Sequence, residues 1–394
     1  MKKHFYKFIA IILLILPIVY IQAAVIHLGL LKIAITDNKQ FIDFKVPNSS
    51  FGRVVFISTG QRGFHGLYSS WKLPFILLAN NILPPKGKKK PLKITTHLTD
   101  DILPQIYGDR IIFYTSRDHH LYNYSKGKLT KLNMHINNKN IAYLSTKIND
   151  LQLLSNGNII YILNTGNKQK IFVITPEQKL QVRLNITKTK IPNSKQFLNH
   201  IFSMTALDNK IAFIANDANN KHAIYLLNNN HLKIIITQQN NIPEGLGKFA
   251  DFKTIQLFKY QNNYYIAFIA TGMLWEKGIY LYNIDTKKII KVVDSATVVP
   301  ASDNKFANFI NISTDNGNIL FTAIDQFNKK ILGFYSLQYN LFKLITGGDQ
   351  INNKQIKNIE INNHSLSGNN AGVLFTFNDH SKGIYVLTIN VSNL

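Results

Sequence analysis

Seven repeats run along the chain, and each contains two β-rich segments that end in an aromatic residue. The first segments read GRVVF, DRIIF, GNIIY, NKIAF, YYIAF, GNILF and AGVLF, and they end at Phe56, Phe113, Tyr161, Phe213, Phe268, Phe321 and Phe375. The second aromatic positions are Tyr68, Tyr122, Phe172, Tyr225, Tyr280, Tyr335 and Tyr385. Two registers that keep one period over seven occurrences predict seven copies of a single structural unit.

Each unit has room for four short strands separated by Asn, Asp and Gly turns. In the fifth unit we place these strands at 252–258, 264–270, 278–284 and 287–293. The second strand, YYIAFIA, is apolar at nearly every position, which predicts burial on both faces, as when sheets stack face to face. Four-stranded sheets stacked radially, with an aromatic pattern in each, indicate an all-β, seven-bladed β-propeller of antiparallel blades.

The two ends of the chain predict how the ring closes. After GIYVLTI in the seventh unit the sequence reaches Leu394 without a well-formed fourth strand. Near the start, LLKIAITDNKQFIDF (30–44) parallels HLKIIITQQNNIPEGLGKFADF (231–252), which is a fourth strand, a loop and the next first strand. We therefore expect Leu30–Thr36 to complete the last blade, so that no sheet edge stays open and residues 25–394 form one domain.

These units resemble exported bacterial tandem-repeat β-propeller proteins, whose repeats follow approximately N-x-x-G-x-x-A-F in a WD40- or YVTN-like architecture. The resemblance covers about residues 30 to 390 and is best between Asn209 and Val293, where IPEGLGKFADF is nearly intact. It decays elsewhere, for example in INNKQIKNIEI (351–361). The resemblance implies the fold and export, but it brings no catalytic motif.

The N-terminus has the layout of a secretory signal. Lys2, Lys3 and Lys7 precede an apolar run of 14 residues from Phe8 to Ile21, and the small residues Ala23 and Ala24 follow. This pattern predicts a signal peptide at residues 1–24, because a membrane span needs about 20 apolar residues. If Gln22 is tolerated, the run extends to Ile26, so an uncleaved inner-membrane anchor is the alternative. Both interpretations place the protein in the periplasm or outside the cell.

Composition excludes several classes of function and leaves others open. The absence of Cys excludes thiol catalysis, thiolate metal sites, disulfides and a lipid-modified Cys. The net charge of +24 attracts polyanions in general, including anionic lipid headgroups, acidic glycans and nucleic acid, without selecting among them. No DNA- or RNA-binding motif is present, so we expect no specific nucleic acid partner. We expect a monomer whose partner is a protein or an anionic envelope polymer.

A ligand-binding surface is predicted where the loops between second and third strands emerge beside the blade-to-blade loops. The candidate binding residues on this face are Arg62, His65, Arg117, His119, His120, His222, Trp275, Lys329 and His380. They could form a basic ring that holds an anion, or they could be solvated turn residues. Trp275 could stack on a sugar or anchor a partner, or it could pack over the neighbouring blade. The basic segment PPKGKKKP (84–91) could contact a polyanion or be a solvated loop.

Catalytic chemistry finds little support in the sequence. No nucleophile, zinc or phosphate-loop motif occurs, and we expect neither a metal nor a cofactor. Carboxylates on the loop face are Asp118, Asp217, Glu276, Asp325 and Asp379. The sequence therefore favours a non-catalytic binding or scaffold protein. The alternative is a propeller hydrolase or lyase that acts on an acidic glycan through paired carboxylates.

Overall fold

A computed structural model of the chain describes residues 24–36, 41–60, 65–70, 76–80, 103–115, 120–126, 128–132, 146–165 and 168–393. Within these ranges the chain is all-β, and its strands form seven antiparallel sheets. No helix in this part of the chain is long and apolar enough to cross a membrane.

The strands follow the chain blade by blade, except for the first. β1 (Ala24–Ile35) belongs to the last blade. Blade 1 contains β2 (Asp43–Phe44), β3 (Asn48–Ser50), β4 (Arg53–Thr59), β5 (His65–Ser70) and β6 (Ile76–Asn80). Blade 2 contains β7 (Gln105–Tyr107), β8 (Arg110–Thr115), β9 (His120–Ser125) and β10 (Lys128–Lys131). Blade 3 contains β11 (Thr146–Leu153), β12 (Ile159–Thr165), β13 (Lys168–Ile174) and β14 (Leu180–Asn185).

The later blades are more regular. Blade 4 contains β15 (Leu198–Leu207), β16 (Lys210–Asp217), β17 (His222–Asn228) and β18 (His231–Thr237). Blade 5 contains β19 (Phe249–Tyr260), β20 (Asn263–Gly272), β21 (Lys277–Asn283) and β22 (Ile289–Asp294). Blade 6 contains β23 (Phe306–Asp315), β24 (Asn318–Asp325), β25 (Lys330–Ser336) and β26 (Asn340–Thr346). Blade 7 contains β27 (Gln350–Ile351), β28 (Lys354–Glu360), β29 (Leu366–Ser367), β30 (Asn370–Phe377) and β31 (Lys382–Asn393), with β1 outside β31.

The blades form a closed ring. Their inner strands contact one another in the order β3, β7, β11, β15, β19, β23, β29 and back to β3. β1 pairs with β31 in antiparallel register from Ala24 opposite Asn393 to Ile35 opposite Gly383, with a bulge between Lys32 and Ala34. The predicted seven-bladed propeller and its closure by the N-terminal strand are confirmed. The closing strand is longer than expected, because it already begins at Ala24 rather than Leu30.

The second strand of each blade is buried on both faces, as its apolar sequence predicts. In β20, Ile266, Phe268 and Ala270 pack with residues of blade 4 in one apolar cluster, whereas Ala267 and Ile269 pack with residues of blade 6 in another. All five side chains are buried. The alternation of a strand therefore places one apolar core on each side of the blade, and burial of both faces holds neighbouring blades together.

The two aromatic registers are cross-strand partners in five blades. For example, Phe213 lies opposite Tyr225 with ring centroids 5.4 Å apart, and Phe268 lies opposite Tyr280 at 5.7 Å. In blade 6 the residue opposite Phe321 is Gly333 rather than Tyr335, and a Cβ on Gly333 would lie 2.1 Å from the Phe321 ring. In blade 7, likewise, Gly383 rather than Tyr385 lies opposite Phe375. In blade 6 the second aromatic, Tyr335, is thus displaced by two residues. In blade 7, by contrast, Tyr385 lies opposite Val373, and the first aromatic, Phe375, is the one displaced by two residues.

Candidate functional site

The turns that join the second and third strands, called here B–C turns, have the same backbone in blades 4 to 7. They span 217–221, 272–276, 325–329 and 377–381. In each, the N–H of the first residue donates to the carbonyl of the fifth, and the N–H of the fourth donates to the carbonyl of the first. The fourth residue has a positive φ in every case: 59° at Asn220, 66° at Trp275, 61° at Asn328 and 64° at His380. A type I turn followed by a left-handed residue is a common three-residue hairpin connection.

The B–C turns contact the blade-to-blade loops, which confirms that both lie on one face of the propeller, called the loop face. The backbone N–H groups of Met273 and Gln326 donate to the carbonyl oxygens of Lys248 and Lys305 in these loops, at 2.9 and 3.1 Å, and that of Asn378 donates to Gln355 at the start of β28, at 2.9 Å. Because each contact repeats at the same turn position, the B–C turns of blades 5 to 7 occupy equivalent places on the loop face.

Three of the candidate carboxylates support turns. Oδ1 of Asp217 accepts hydrogen bonds from the N–H groups of Asn219 and Lys221, both at 2.9 Å. Oδ1 of Asp325 accepts from the equivalent N–H groups at 2.9 and 2.8 Å, and its Oδ2 accepts from Asn304 at 3.0 Å. The Lys354 ammonium and Ser381 lower the pKa of Asp379 to about 2. The geometry thus gives these carboxylates a structural role.

The B–C turn of blade 5 has no such support and carries apolar side chains instead. Gly272 occupies the position of Asp217 and Asp325. Met273, Leu274 and Trp275 follow with exposed fractions of 54%, 64% and 81%, and Leu246 of the adjoining blade-to-blade loop is 72% exposed. The N–H of Leu246 donates to Oε2 of Glu276 at 3.4 Å, which joins the two loops. We call Leu246, Met273, Leu274 and Trp275 the blade-5 tip.

The stability of the fold does not explain why the blade-5 tip is apolar. A bulky L-residue in the left-handed region costs about 1–2 kcal/mol, whereas Asn tolerates this conformation. Exposure of four large apolar residues at one place is also unfavourable for a soluble surface. With most of its surface exposed, Trp275 has little contact with neighbouring blades. The blade-5 tip therefore has the features of a contact surface.

Lysines follow the B–C turns of blades 5 and 6, where the first paired residue after the turn is Lys277 and Lys330, respectively. The equivalent Lys382 of blade 7 is already paired with Asp43, at 2.6 Å. In blade 6 the turn presents Phe327, 69% exposed, at the position equivalent to Leu274. Glu276 is half-buried, and burial together with the neighbouring Asp294 raises the pKa of its carboxyl group.

The remaining candidate residues are distributed as follows. Arg62, Arg117 and His119 lie outside the described residues, as do Asp118 and residues 84–91, and the side chain of His65 is also outside them. His120 is the half-buried first residue of β9. Nδ1 of His222 lies 2.7 Å from Oδ1 of Asp251, and its ring centroid lies 4.8 Å from that of Phe202. His222 is therefore already paired with a carboxylate, whereas Lys329 and His380 are exposed. Their binding role stays a prediction.

The sequence-based search missed the polar lining of the central channel. Six inner strands place a buried polar side chain opposite the residue that precedes the first aromatic: Asn48, Gln105, Gln152, Thr205, Gln256 and Ser313. Several of them bind the next blade, as when Thr205 Oγ1 accepts from the N–H of Leu257 at 3.0 Å. In four blades the polar residue stands eight positions before the aromatic, a regularity visible in the sequence.

Two adjoining cavities of about 420 and 200 Å³ occupy this channel. Asp150 and His364 line the smaller one. Oδ2 of Asp150 accepts from the N–H of Met204 in blade 4 at 3.0 Å, and burial raises the pKa of Asp150 to about 7. Burial also lowers the pKa of His364 to about 4. Both groups thus favour their neutral forms at neutral pH or near it.

In the described part of the chain, no three His, Asp or Glu side chains are grouped so as to hold a metal ion.

Comparison with known proteins supports the fold alone. No protein-family model and no curated protein sequence matches the chain. The β-propeller domain of the Trilobed protease from Pyrococcus furiosus, described as having an open velcro topology, is similar with a TM-score of 0.52 and 10% identity, over 90% of this chain and 98% of that one. A puromycin-hydrolyzing peptidase of Mycobacterium tuberculosis is more weakly similar, with a TM-score of 0.41 and 9% identity over 85% and 57%. At such identities the likeness defines a β-propeller and no activity.

Proposed function

We propose that the protein is an exported, non-catalytic binding protein that engages a protein or an anionic envelope component through the loop face of blades 5 and 6. The blade-5 tip carries this proposal, because four large apolar side chains are exposed together there. Trp is among the residues that contribute most to binding when a partner covers them.

The support for a preformed surface comes from the backbone. Trp275 N donates to the Gly272 carbonyl at 3.0 Å, and Met273 N donates to the Lys248 carbonyl at 2.9 Å. Because these bonds hold the turn before any partner arrives, binding would not require ordering of the loop. The lysines that follow the turns favour a partner with negative charge.

The absence of Cys permits a direct test of occupancy. Met273→Cys places a single thiol in the tip and leaves Trp275 in place, while Val182→Cys places one on the outer strand β14, where Val182 is also exposed. Maleimide labelling is compared between purified protein and the envelope fraction of cells that produce it. We expect the envelope to slow labelling of Met273→Cys but not of Val182→Cys. Equal labelling of Met273→Cys in both preparations would contradict the proposed function.

A further inference from the structure

The exposed apolar residues of blades 5 and 6 lie on two B–C turns with the same backbone and on the adjoining blade-to-blade loop. Leu274 and Phe327 are each the third residue of a B–C turn with the same hydrogen bonds, one in blade 5 and one in blade 6. Met273 and Trp275 flank Leu274 in the chain, and Leu274 lies close to Gly247, which follows Leu246 in the adjoining loop. Two turns in equivalent places on one face suit a flat partner, since a plane can meet both turns without any further shape complementarity.

Positively charged residues follow the exposed apolar residues of both turns in the chain. Lys277 and Lys330 begin the strands that leave the two turns, and Lys329 is the last residue of the blade 6 turn. The acidic residues nearby are partly engaged: Glu276 accepts from Leu246, and Oε2 of Glu244 lies 3.4 Å from the Lys291 ammonium. Apolar tips in front of lysines match the two layers of an anionic bilayer surface, whose acyl boundary lies beneath charged headgroups.

Resting on the proposed function, we infer that the component bound by the loop face is an anionic lipid bilayer surface, with Leu274, Trp275 and Phe327 inserted at the interface. Trp is favoured at membrane interfaces because its ring is apolar and its N–H is polar. The net charge of +24 adds a long-range attraction to such a surface. A protein partner would instead need a surface fitted to both turns, which is the competing outcome of the test.

The test uses the same Met273→Cys and Val182→Cys proteins with lipid vesicles as the probe. We expect vesicles of phosphatidylglycerol and phosphatidylcholine to slow labelling of Met273→Cys several-fold, and vesicles of phosphatidylcholine alone to have little effect. Val182→Cys should label equally in all samples. Adding Trp275→Ala to Met273→Cys should weaken protection by roughly tenfold in lipid concentration, and Lys330→Gln should weaken it by about fivefold. Higher salt should reduce protection as well.

The outcomes separate this inference from the proposed function. Protection of Met273→Cys in the envelope fraction, combined with no protection by phosphatidylglycerol vesicles, would overturn the lipid assignment and leave a protein or polymer partner. Protection in neither preparation would overturn both. Equal protection by phosphatidylcholine alone, or protection that is insensitive to Trp275→Ala, would also overturn the inference, because it requires both the charge and the inserted ring.

Discussion

The B–C turns of blades 5 and 6 have one backbone and an exposed apolar third residue, but they differ at their first and fourth positions. In blade 6, Asp325 begins the turn and Asn328 occupies the left-handed position, so both residues suit the conformation. In blade 5, Gly272 and Trp275 occupy those positions and contribute no side-chain hydrogen bond to the turn. The stability of the turn explains the residues at these two positions in blade 6, but it does not explain those in blade 5. A local departure from turn chemistry, with no gain in packing, marks a functional surface.

The largest effect is expected when Asp325, the first residue of the blade 6 turn, is compared with Trp275, the exposed fourth residue of the blade 5 turn. Asp325→Ala removes three hydrogen bonds from a buried carboxylate and should lower the free energy of unfolding by about 2–3 kcal/mol. Trp275→Ala should change it by less than about 0.5 kcal/mol, because the exposed ring has little to lose. Urea unfolding of both variants measures the difference. If Trp275→Ala were as damaging as Asp325→Ala, the blade-5 tip would be part of the fold rather than a contact surface.

The sequence predicts the ring but only part of the site. Two aromatic registers and the parallel between 30–44 and 231–252 were enough for seven blades and their closure. The altered pairing of the aromatic residues in blades 6 and 7 could not be predicted, because the residue opposite Phe321 or Phe375 is defined only when the strands are paired. Whether Trp275 is exposed could not be predicted either, because this depends on whether a neighbouring loop covers the ring in the folded protein. By contrast, the channel residues Gln105 and Thr205 follow a regular spacing that sequence analysis can detect.

A second effect is the pH dependence of stability that comes from Asp150, whose carboxyl group lines the channel. The pKa of Asp150 is raised from 3.8 to about 7, so between these pH values the folded state keeps a proton that the unfolded state loses. The contribution of Asp150 to stability therefore falls as pH rises through this window, by about 1.4 kcal/mol for each pH unit. Asp150→Asn should remove this decrease when unfolding is measured from pH 4 to 7.

His364 faces the same cavity and acts in the opposite direction. Its pKa is lowered from 6.5 to about 4, so its contribution to stability is lost as pH falls from 6.5 towards 4. Asp150→Asn should consequently leave a stability that rises with pH in this range, whereas His364→Gln should leave one that falls. Identical pH profiles for the two variants would show that neither group is held neutral in the channel.

The third effect comes from moving the blade 5 residue into blade 6. Asn328→Trp places a bulky residue at a φ of 61° and should lower the free energy of unfolding by about 1 kcal/mol. Asn328→His is the matched control, because His380 has the same conformation in blade 7, and it should cost less. A cost for Asn328→Trp no larger than that for Asn328→His would mean that the turn does not discriminate against Trp.

The smallest effect is the reverse exchange. Trp275→Asn should raise the free energy of unfolding by about 0.5 kcal/mol, because Asn tolerates the left-handed conformation, while the few contacts of the exposed ring are lost. The same change should abolish most of the protection of the Met273→Cys thiol. A variant that is more stable and binds less is expected where a residue is retained for function at a cost to folding. Reduced stability of Trp275→Asn, measured by urea unfolding, would instead assign Trp275 to the support of its own turn.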